Sequence, residues 1–173
     1  MILIVGGSAS GKSAYAEQTA IEAAGARKLY YCATMQIDGE EGLARARKHQ
    51  KQRQGKGFCT IERGRDIAGL AGRISGGVVL LECLSNLVAN EMFAGDVIYA
   101  PLAVAQKVYR EICCLNECAA GLVIVTNNVF EDGIVYDRAT MRYLEALAAV
   151  NCMLAKEADT VTEIVAGIPL TVK

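Results

Sequence analysis

One eight-residue stretch near the amino end of the chain restricts the possible folds more than any other. It reads Gly-Gly-Ser-Ala-Ser-Gly-Lys-Ser over residues 6–13, after the apolar run 1–5 and before the helix-prone stretch 14–20. A strand, a glycine-rich loop and a helix in this order form a phosphate-binding loop, in which backbone N–H groups and the helix dipole face an anion. The plainer alternative is a glycine-rich turn with a surface lysine. We predict that nucleotide phosphates bind to Gly6, Gly7, Ser8, Ala9, Ser10, Gly11, Lys12 and Ser13.

Individual positions in this loop have separate roles. Gly6 lets the backbone turn out of the strand, and Gly11 lets the backbone approach the anion without a Cβ in the way. We expect Lys12 to reach the β- and γ-phosphates and the Ser13 hydroxyl to bind Mg²⁺.

Length and composition indicate one folded domain over residues 1–173. The 173 residues are 53% hydrophobic and 21% charged, which excludes disorder and favours a buried sheet. With a net charge of −1, no long-range field attracts nucleic acid or an anionic membrane, so we expect neither as a partner.

The seven cysteines show no paired metal-ligand spacing and no signal peptide precedes them, so we expect reduced thiols in a cytoplasmic protein. No apolar run approaches the roughly 20 residues of a membrane-spanning helix.

Alternating strand-like and helix-like segments predict an α/β fold. Continuous apolar runs such as 78–82 and 121–127 are typical of parallel strands that are covered on both faces. We predict a single-domain P-loop NTPase-like fold, with a mostly parallel sheet of about five to seven strands, helices on both faces and a hairpin-like edge. The predicted strands are 1–5, 28–34, 58–62, 78–82, 121–127, 160–165 and 170–172, and the predicted helices are 14–20, 39–56, 67–73, 84–93, 102–118 and 138–158.

Two of these strands end in polar side chains, at the edge where ligands bind in open α/β sheets. Thr34 ends the second strand and is followed by Met35, and Glu82 ends the fourth strand. A carboxylate at the end of a buried strand beside a phosphate loop is where nucleotide enzymes hold Mg²⁺. Two alternatives stay open on pattern alone: a strand that simply runs into a turn at Thr34, and an acidic residue that precedes a helix at Glu82.

The only histidine, His49, lies in the basic stretch 39–56, where two acidic residues precede six cationic ones. On a helix, Arg45 and Arg53 flank His49 at four-residue spacing. Neighbouring cations disfavour a protonated imidazole, which leaves a neutral nucleophile, and they can also bind a polyphosphate. The alternative is a solvated basic helix with an incidental histidine. The stretch is short and has no interleaved aromatic residues for base stacking, which argues against nucleic-acid binding.

Taken in order, these residues resemble the bifunctional adenosylcobinamide kinase / adenosylcobinamide-phosphate guanylyltransferase family of cobalamin biosynthesis. The resemblance covers nearly the whole chain and rests on the order and spacing of several short motifs. They are residues 6–13, Ala33-Thr34, the Ala-Arg…His segment at 44–49 with Arg53, Glu62, residues 80–83, Val125-Thr126-Asn127, residues 133–135, Ala158-Asp159 and Gly167-Ile168-Pro169.

The resemblance implies an enzyme with two activities. It would phosphorylate the aminopropanol hydroxyl of adenosylcobinamide with ATP or GTP, and then pass GMP from GTP, through a GMP-histidine intermediate, to adenosylcobinamide phosphate. Matched by position, the nucleophile is His49. A homo-oligomer, possibly a trimer, is also implied. The implied nucleotide contacts are Gly6 through Ser13, Ala33, Thr34, Met35, Gln50, Lys51, Gln52, Arg53, Glu62 and Glu82.

Two other functions are compatible with the residues alone. One is a plain P-loop kinase of a small molecule, in which His49 is incidental. The other is a nucleotide-binding regulatory protein without group transfer. The chain departs from the family pattern at Ala9, Gln50, Asn128, Phe130, Met141 and Leu144, which leaves most of the nucleotide motif in place and alters mainly the substrate side.

Overall fold

The computed structural model describes residues 1–36, 54–74, 76–95, 97–130 and 133–173. Most of the helix predicted over 39–56, including His49, lies outside these ranges. The predicted end of that helix is wrong, because residues 54–57 form turns. Gly55 and Gly57 have φ angles of +83° and +79° there, a left-handed conformation that a right-handed helix does not contain.

Seven strands form one sheet in the described part of the chain. They are β1 (Ile2–Gly6), β2 (Leu29–Ala33), β3 (Phe58–Glu62), β4 (Val78–Glu82), β5 (Gly121–Asn127), β6 (Thr160–Val165) and β7 (Ile168–Thr171). The strand order is β3-β2-β4-β5-β1-β6-β7, and every neighbouring pair is parallel except β6 and β7, which are antiparallel. The predicted mostly parallel sheet with a hairpin at its edge is confirmed.

Helices connect most of the strands. In the described ranges they are α1 (Lys12–Ala24), a 3₁₀ helix (Ile67–Leu70), α2 (Ala71–Ile74), α3 (Leu84–Met92), α4 (Pro101–Cys118) and α5 (Arg138–Glu157). The two longest helices begin at clear local signals. Proline lies in the first turn of α4, where its missing N–H would have no helical partner. The Asp137 carboxylate accepts hydrogen bonds from the N–H groups of Ala139 and Thr140, and so caps α5.

A hydrophobic cluster covers each face of the sheet. On one face, Ala16, Ala20 and Ala24 form a stripe of small residues along α1 that packs closely on the central strands. On the other face, the apolar sides of α3, α4 and α5 bury residues such as Leu87 and Leu147. Because the central strands are buried on both sides, their sequences are continuously apolar. Helices on both faces are thus confirmed.

None of the helices in the described ranges is both long and apolar enough to cross a bilayer. All seven cysteines are free thiols. The cytoplasmic location and the domain limits 1–173 stay predictions.

Candidate active site

The loop between β1 and α1 has the tight geometry of a phosphate-binding loop. A Cβ at Gly6 would lie 2.6 Å from the Ser10 Oγ and 2.9 Å from the carbonyl oxygen of Ile164, so only glycine fits at the end of β1. Gly11, which precedes α1, has a φ of +92°, a conformation that favours glycine. Both glycines that the sequence singles out are therefore required by the path of the backbone.

The β6–β7 hairpin supports this loop from one side. The Gly167 N–H donates a hydrogen bond to the Ser10 carbonyl at 2.9 Å, and a Cβ on Gly11 would lie 3.5 Å from the Gly167 Cα. The Ser10 hydroxyl is buried and has no hydrogen-bond partner among the described residues. The turn of the hairpin thus packs directly on the phosphate loop.

Lys12 is buried at the start of α1, with 9% of its surface exposed. Its ammonium donates a hydrogen bond to the Gly7 carbonyl across the loop, with Nζ and O 2.8 Å apart. Burial lowers the pKa of Lys12, while the nearby Cys83 and Glu82 act in the opposite direction. The cation is therefore held inside the loop that the sequence predicts for phosphates.

Glu82 joins the loop to β4. Its Oε1 accepts a hydrogen bond from the Ser13 hydroxyl, and its Oε2 accepts one from the Tyr31 hydroxyl at 3.0 Å. Glu82 is half-buried at the carboxyl end of β4. A hydroxyl and a carboxylate side by side are hard oxygen donors of the kind that Mg²⁺ prefers, so Ser13 and Glu82 fit the magnesium site predicted for them.

The end of β2 is tied to the end of β4. The Thr34 N–H donates to the Glu82 carbonyl at 3.0 Å, and the Thr34 hydroxyl donates to the Cys83 carbonyl at 2.7 Å. Thr34 is completely buried, and its neighbours Ala33 and Met35 are half-buried. Thr34 therefore fixes the backbone that carries Glu82. The nucleotide contacts predicted for Ala33, Thr34 and Met35 stay predictions.

Glu62 lies at the same edge of the sheet but on the outermost strand, β3, where it is exposed. It is in register with Ala33, and β2, β4 and β5 lie between it and β1. With neighbouring strands about 4.8 Å apart, Glu62 is roughly 19 Å across the sheet from the phosphate loop. The structure does not bring Glu62 to this loop, and the nucleotide contact predicted for it stays a prediction.

The last residue of the basic stretch, Lys56, is attached beside the loop. The Lys56 ammonium forms an ion pair with the carboxylate of Glu17. Glu17 is buried on α1, one helical turn beyond Ser13. Five predicted site residues lie outside the described ranges: His49, Gln50, Lys51, Gln52 and Arg53.

Polar side chains just beyond Glu82 form a partly buried network. The Ser85 Oγ lies 2.9 Å from the Cys83 Sγ and accepts a hydrogen bond from the Asn127 amide at 2.6 Å. Burial raises the pKa of the Cys83 thiol, so this cysteine is neutral and a poor nucleophile near pH 7. The Asn128 N–H donates to the Gly6 carbonyl at 3.1 Å. These contacts fix the carboxyl ends of β4 and β5 next to the loop.

A second charged cluster lies on the face of the sheet opposite α1. The Lys107 ammonium bonds the carboxylates of Asp66, at 2.7 Å, and Glu91, and lies 3.6 Å from Glu111. Although burial opposes its charge, the hydrogen bonds with Asp66 and Glu91 raise the pKa of Lys107. The three carboxylates are close enough to share a metal ion, but the lysine already neutralises part of their charge. The cluster borders a cavity of about 450 Å³ and joins the 3₁₀ helix to α3 and α4.

Sequence reasoning missed Tyr31, Glu17 and Gly167 as parts of the site. Tyr31 is read as one more residue of a buried strand, and only the register of β2 against β4 brings its hydroxyl to Glu82, 51 positions further along the chain. The one local signal for a role of Glu17 is its position as an acidic residue next to the apolar stripe of α1. No local pattern indicates which loop the Gly167 turn contacts.

Comparison with known protein families identifies the class of enzyme. The family described as cobinamide kinase / cobinamide phosphate guanyltransferase (CobU) matches residues 2–172. The chain belongs to this family. The members of this family are transferases with two activities, so the enzyme class expected from the resemblance is confirmed.

Named relatives match along the full length. The bifunctional adenosylcobalamin biosynthesis proteins CobU of Escherichia coli (strain K12) and of Salmonella typhimurium are 30% and 31% identical over 184 residues, covering 100% of this chain and 99% of each relative. The corresponding protein CobP of Pseudomonas aeruginosa is 28% identical over 174 residues, covering 99% of this chain and 96% of the relative.

A solved structure resembles the fold. The flagellar accessory protein FlaH from Methanocaldococcus jannaschii superposes with a TM-score of 0.51 over 99% of this chain and 77% of that protein. At 12% sequence identity this likeness concerns the fold alone. It agrees with the P-loop NTPase-like α/β architecture predicted from the sequence.

Proposed function

We propose that this protein phosphorylates adenosylcobinamide with ATP or GTP and then transfers GMP from GTP to the resulting adenosylcobinamide phosphate. The observation that carries the proposal is the junction between the phosphate loop and β4, where Lys12, Ser13 and Glu82 lie together. In parallel α/β sheets, ligands bind at this carboxyl edge. Membership of the cobinamide kinase family supports both reactions.

The kinase step moves one phosphoryl group. The oxygen of the substrate hydroxyl attacks the γ-phosphorus, the bond from that phosphorus to the β–γ bridging oxygen breaks, and the nucleoside diphosphate leaves while the hydroxyl proton passes to solvent. Catalysis of such a transfer is mostly positioning and charge stabilisation. The backbone N–H groups of residues 6–13, the start of α1 and the Lys12 ammonium supply the donors and the positive charge.

Lys12 suits this role because its ammonium already lies within the loop, 2.8 Å from the Gly7 carbonyl. A desolvated ammonium is attracted to phosphate more strongly than one in water. Ser13 and Glu82 are the residues that would hold Mg²⁺, which when bound neutralises charge on the phosphate oxygens.

The guanylyltransferase reaction proceeds in two displacements through His49. A ring nitrogen of the neutral imidazole attacks the α-phosphorus of GTP, a P–N bond forms, the bond to the α–β bridging oxygen breaks, and pyrophosphate leaves. A phosphate oxygen of adenosylcobinamide phosphate then attacks the same phosphorus, the P–N bond breaks, and the imidazole is restored. The product is adenosylcobinamide-GDP. Arg45, Lys48 and Arg53 supply positive charge for both displacements.

Both described flanks of the stretch that contains His49 support this role. On one side, Met35 follows Thr34, which is bonded to the backbone that carries Glu82. On the other side, Lys56 is paired with Glu17 beside the phosphate loop. His49 precedes Lys56 by seven residues, and seven residues extend over at most about 25 Å. The length of the chain thus allows His49 to reach a triphosphate in the loop.

We further propose that the nucleotide extends from the loop across the carboxyl edge towards β2 and β3. Ala33, Met35 and Glu62 would then lie on the side of its sugar and base, and residues 50–53 on the side of its phosphates. An exposed carboxylate such as Glu62 accepts hydrogen bonds, which suits the N–H groups of guanine. The homo-oligomer expected from the sequence stays a prediction.

Two variants test the proposed function. In His49→Asn, transfer of the γ-phosphoryl group to adenosylcobinamide is expected to continue, whereas formation of adenosylcobinamide-GDP stops. In Lys12→Ala, both reactions are expected to stop, because both use the same triphosphate site. A wild-type protein that forms no adenosylcobinamide-GDP from GTP, while it still phosphorylates adenosylcobinamide, would instead be a plain kinase.

A further inference from the structure

We infer that Tyr31 is a positioning residue that orients Glu82 towards Ser13 and Mg²⁺. The inference rests on the proposed function, in which Glu82 and Ser13 hold the metal. The Tyr31 hydroxyl donates to the Glu82 Oε2 at 3.0 Å, while the Ser13 hydroxyl donates to Oε1. One carboxylate oxygen is therefore held by the sheet, and the other faces the phosphate loop.

The position of Tyr31 follows from the register of the parallel strands. Tyr31 in β2 is paired with Leu80 in β4, and Glu82 is two residues beyond Leu80, so it lies on the same face of the sheet. This is the face covered by α1, the helix that begins with the loop residues Lys12 and Ser13. The tyrosine ring runs along this face, and its hydroxyl ends at the carboxyl edge beside Glu82.

The tyrosine ring is itself fixed by its surroundings. Only 3% of Tyr31 is exposed. The ring packs edge to face against Phe58 of β3, with centroids 5.9 Å apart and planes at 85°. A rigid ring holds its hydroxyl in one place, so the hydrogen bond to Oε2 restricts rotation of the Glu82 carboxylate.

The chemistry of the donor matters as much as its position. A phenol is a neutral donor, so it can orient a carboxylate and leave the negative charge available for a cation. A lysine or arginine at this place would orient Glu82 equally well but would compete with Mg²⁺ for its charge. Partners that orient metal ligands in this way typically contribute 10–100-fold to metal affinity.

The test compares two variants that each remove one hydroxyl from β2. Tyr31→Phe removes the donor to Glu82 and keeps the ring against Phe58. Tyr30→Phe is the matched control, because Tyr30 is the preceding residue and packs in the cluster on the opposite face. The affinity for a fluorescent GTP analogue is measured at a series of Mg²⁺ concentrations and again with EDTA, and Glu82→Gln serves as the reference for a damaged metal site.

In Tyr31→Phe we expect at least about 10-fold more Mg²⁺ to be needed for half of the metal-dependent gain in nucleotide affinity. The affinity in EDTA stays at the wild-type value, and Tyr30→Phe behaves like the wild type throughout. The inference is overturned if Tyr31→Phe retains the wild-type Mg²⁺ dependence while Glu82→Gln does not, or if both tyrosine variants change equally. If Glu82→Gln also retains the wild-type dependence, the magnesium role proposed for Glu82 is wrong, and the inference is overturned with it.

Discussion

Lys12 is buried where a charged side chain is unfavourable. Burial lowers its pKa, so the folded protein disfavours the ammonium form that the proposed phosphate binding requires. Because the folded pKa lies below the unfolded one, the charge on Lys12 opposes folding at neutral pH, and this opposition disappears as the pH rises from the folded pKa to 10.5. Such a residue is retained for function and not for stability.

Replacing Lys12 by methionine separates these two effects. In Lys12→Met, kcat/KM for both reactions is expected to fall by at least about 100-fold, because the buried donor proposed for the phosphates is lost. The midpoint of thermal unfolding at pH 7 is expected to stay the same or rise, because the buried charge is gone. Steady-state kinetics and calorimetry check this, with the exposed Lys28→Met as the control. Near-normal kinetics, or a marked loss of stability, would contradict the role assigned to Lys12.

For single residues, the sequence predicts roles that depend on neighbours along the chain. It does not predict side-chain contacts that depend on which strands are neighbours in the sheet. Lys12 and Ser13 follow from the spacing of the loop alone, because their neighbours in sequence are also their neighbours in space. Tyr31 and Glu82 are 51 positions apart and meet only because β2 lies next to β4. Nothing in the sequence of β2 indicates which strand is its neighbour.

Among the secondary-structure elements, β1 ends in a crowded junction with the loop. A methyl group at Gly6 would lie 2.9 Å from the Ile164 carbonyl of β6, which is backbone and cannot move aside, whereas nothing lies within 4 Å of a Cβ at Gly7. Gly6→Ala is therefore expected to lower the free energy of unfolding by about 1–3 kcal/mol and to weaken nucleotide binding. Urea denaturation checks this, with Gly7→Ala as the control for stability. Equal stability of the two variants would show that the end of β1 is less crowded than described.

The Lys107 cluster joins three further elements, namely the 3₁₀ helix, α3 and α4. In Lys107→Met, the carboxylate of Glu91, only 5% exposed, loses its cation. Since Lys107 is itself 38% exposed, we expect a loss of about 2 kcal/mol in the free energy of unfolding, below the 3–5 kcal/mol of a fully buried pair. Urea denaturation at pH 7 checks this, with the exposed Lys156→Met as the control. A loss below about 0.5 kcal/mol would mean that the cluster is a surface feature.

This contribution also depends on pH in a defined direction. Folding raises the pKa of Lys107, so its stabilisation is fully present below the unfolded pKa of 10.5 and is lost as the pH rises further. The difference in stability between the wild type and Lys107→Met is therefore expected to be constant through neutral pH and to shrink above pH 10.5.

The elements themselves are largely predictable, because their apolar patterns are strong. The continuous runs of β4 and β5 predict buried parallel strands, and the structure confirms them. The clearest error is at residues 54–56, where the charge pattern extends the predicted helix but the chain forms turns, with Gly55 and Gly57 in the left-handed conformation. A pattern of charges alone is a weak signal for a helix, because most helices in proteins are stabilised by packing an apolar face against the rest of the fold.

In the whole molecule, the site forms because the carboxyl ends of β1, β2 and β4 lie along one edge of the sheet. A parallel sheet and this edge are predictable from the sequence, but the order β3-β2-β4-β5-β1-β6-β7 is not. That order depends on how the helices cover both faces, which involves contacts across the whole chain. It places Glu82 near the loop and leaves Glu62 on the far strand.

Nucleotide binding at this edge is expected to stabilise the whole fold. At a GTP concentration of 100 times its Kd, the gain is about 2.7 kcal/mol, which corresponds to a rise of roughly 5–10 °C in the melting temperature for a chain of this length. Calorimetry with Mg²⁺ and GTP measures this rise. The rise is expected to be absent in Lys12→Met, and a full rise in that variant would place the nucleotide elsewhere.

In the proposed mechanism, one histidine, His49, carries GMP between GTP and the corrinoid. The most direct measurement is incubation of the whole protein with Mg²⁺ and GTP labelled at the α-phosphorus, followed by denaturation and a test of the label for stability in acid and alkali. We expect one covalent label per active chain, which is lost in acid, kept in alkali and absent from His49→Asn. A wild-type protein that takes up no label from pure GTP, or a His49→Asn variant that is labelled as well as the wild type, would contradict it.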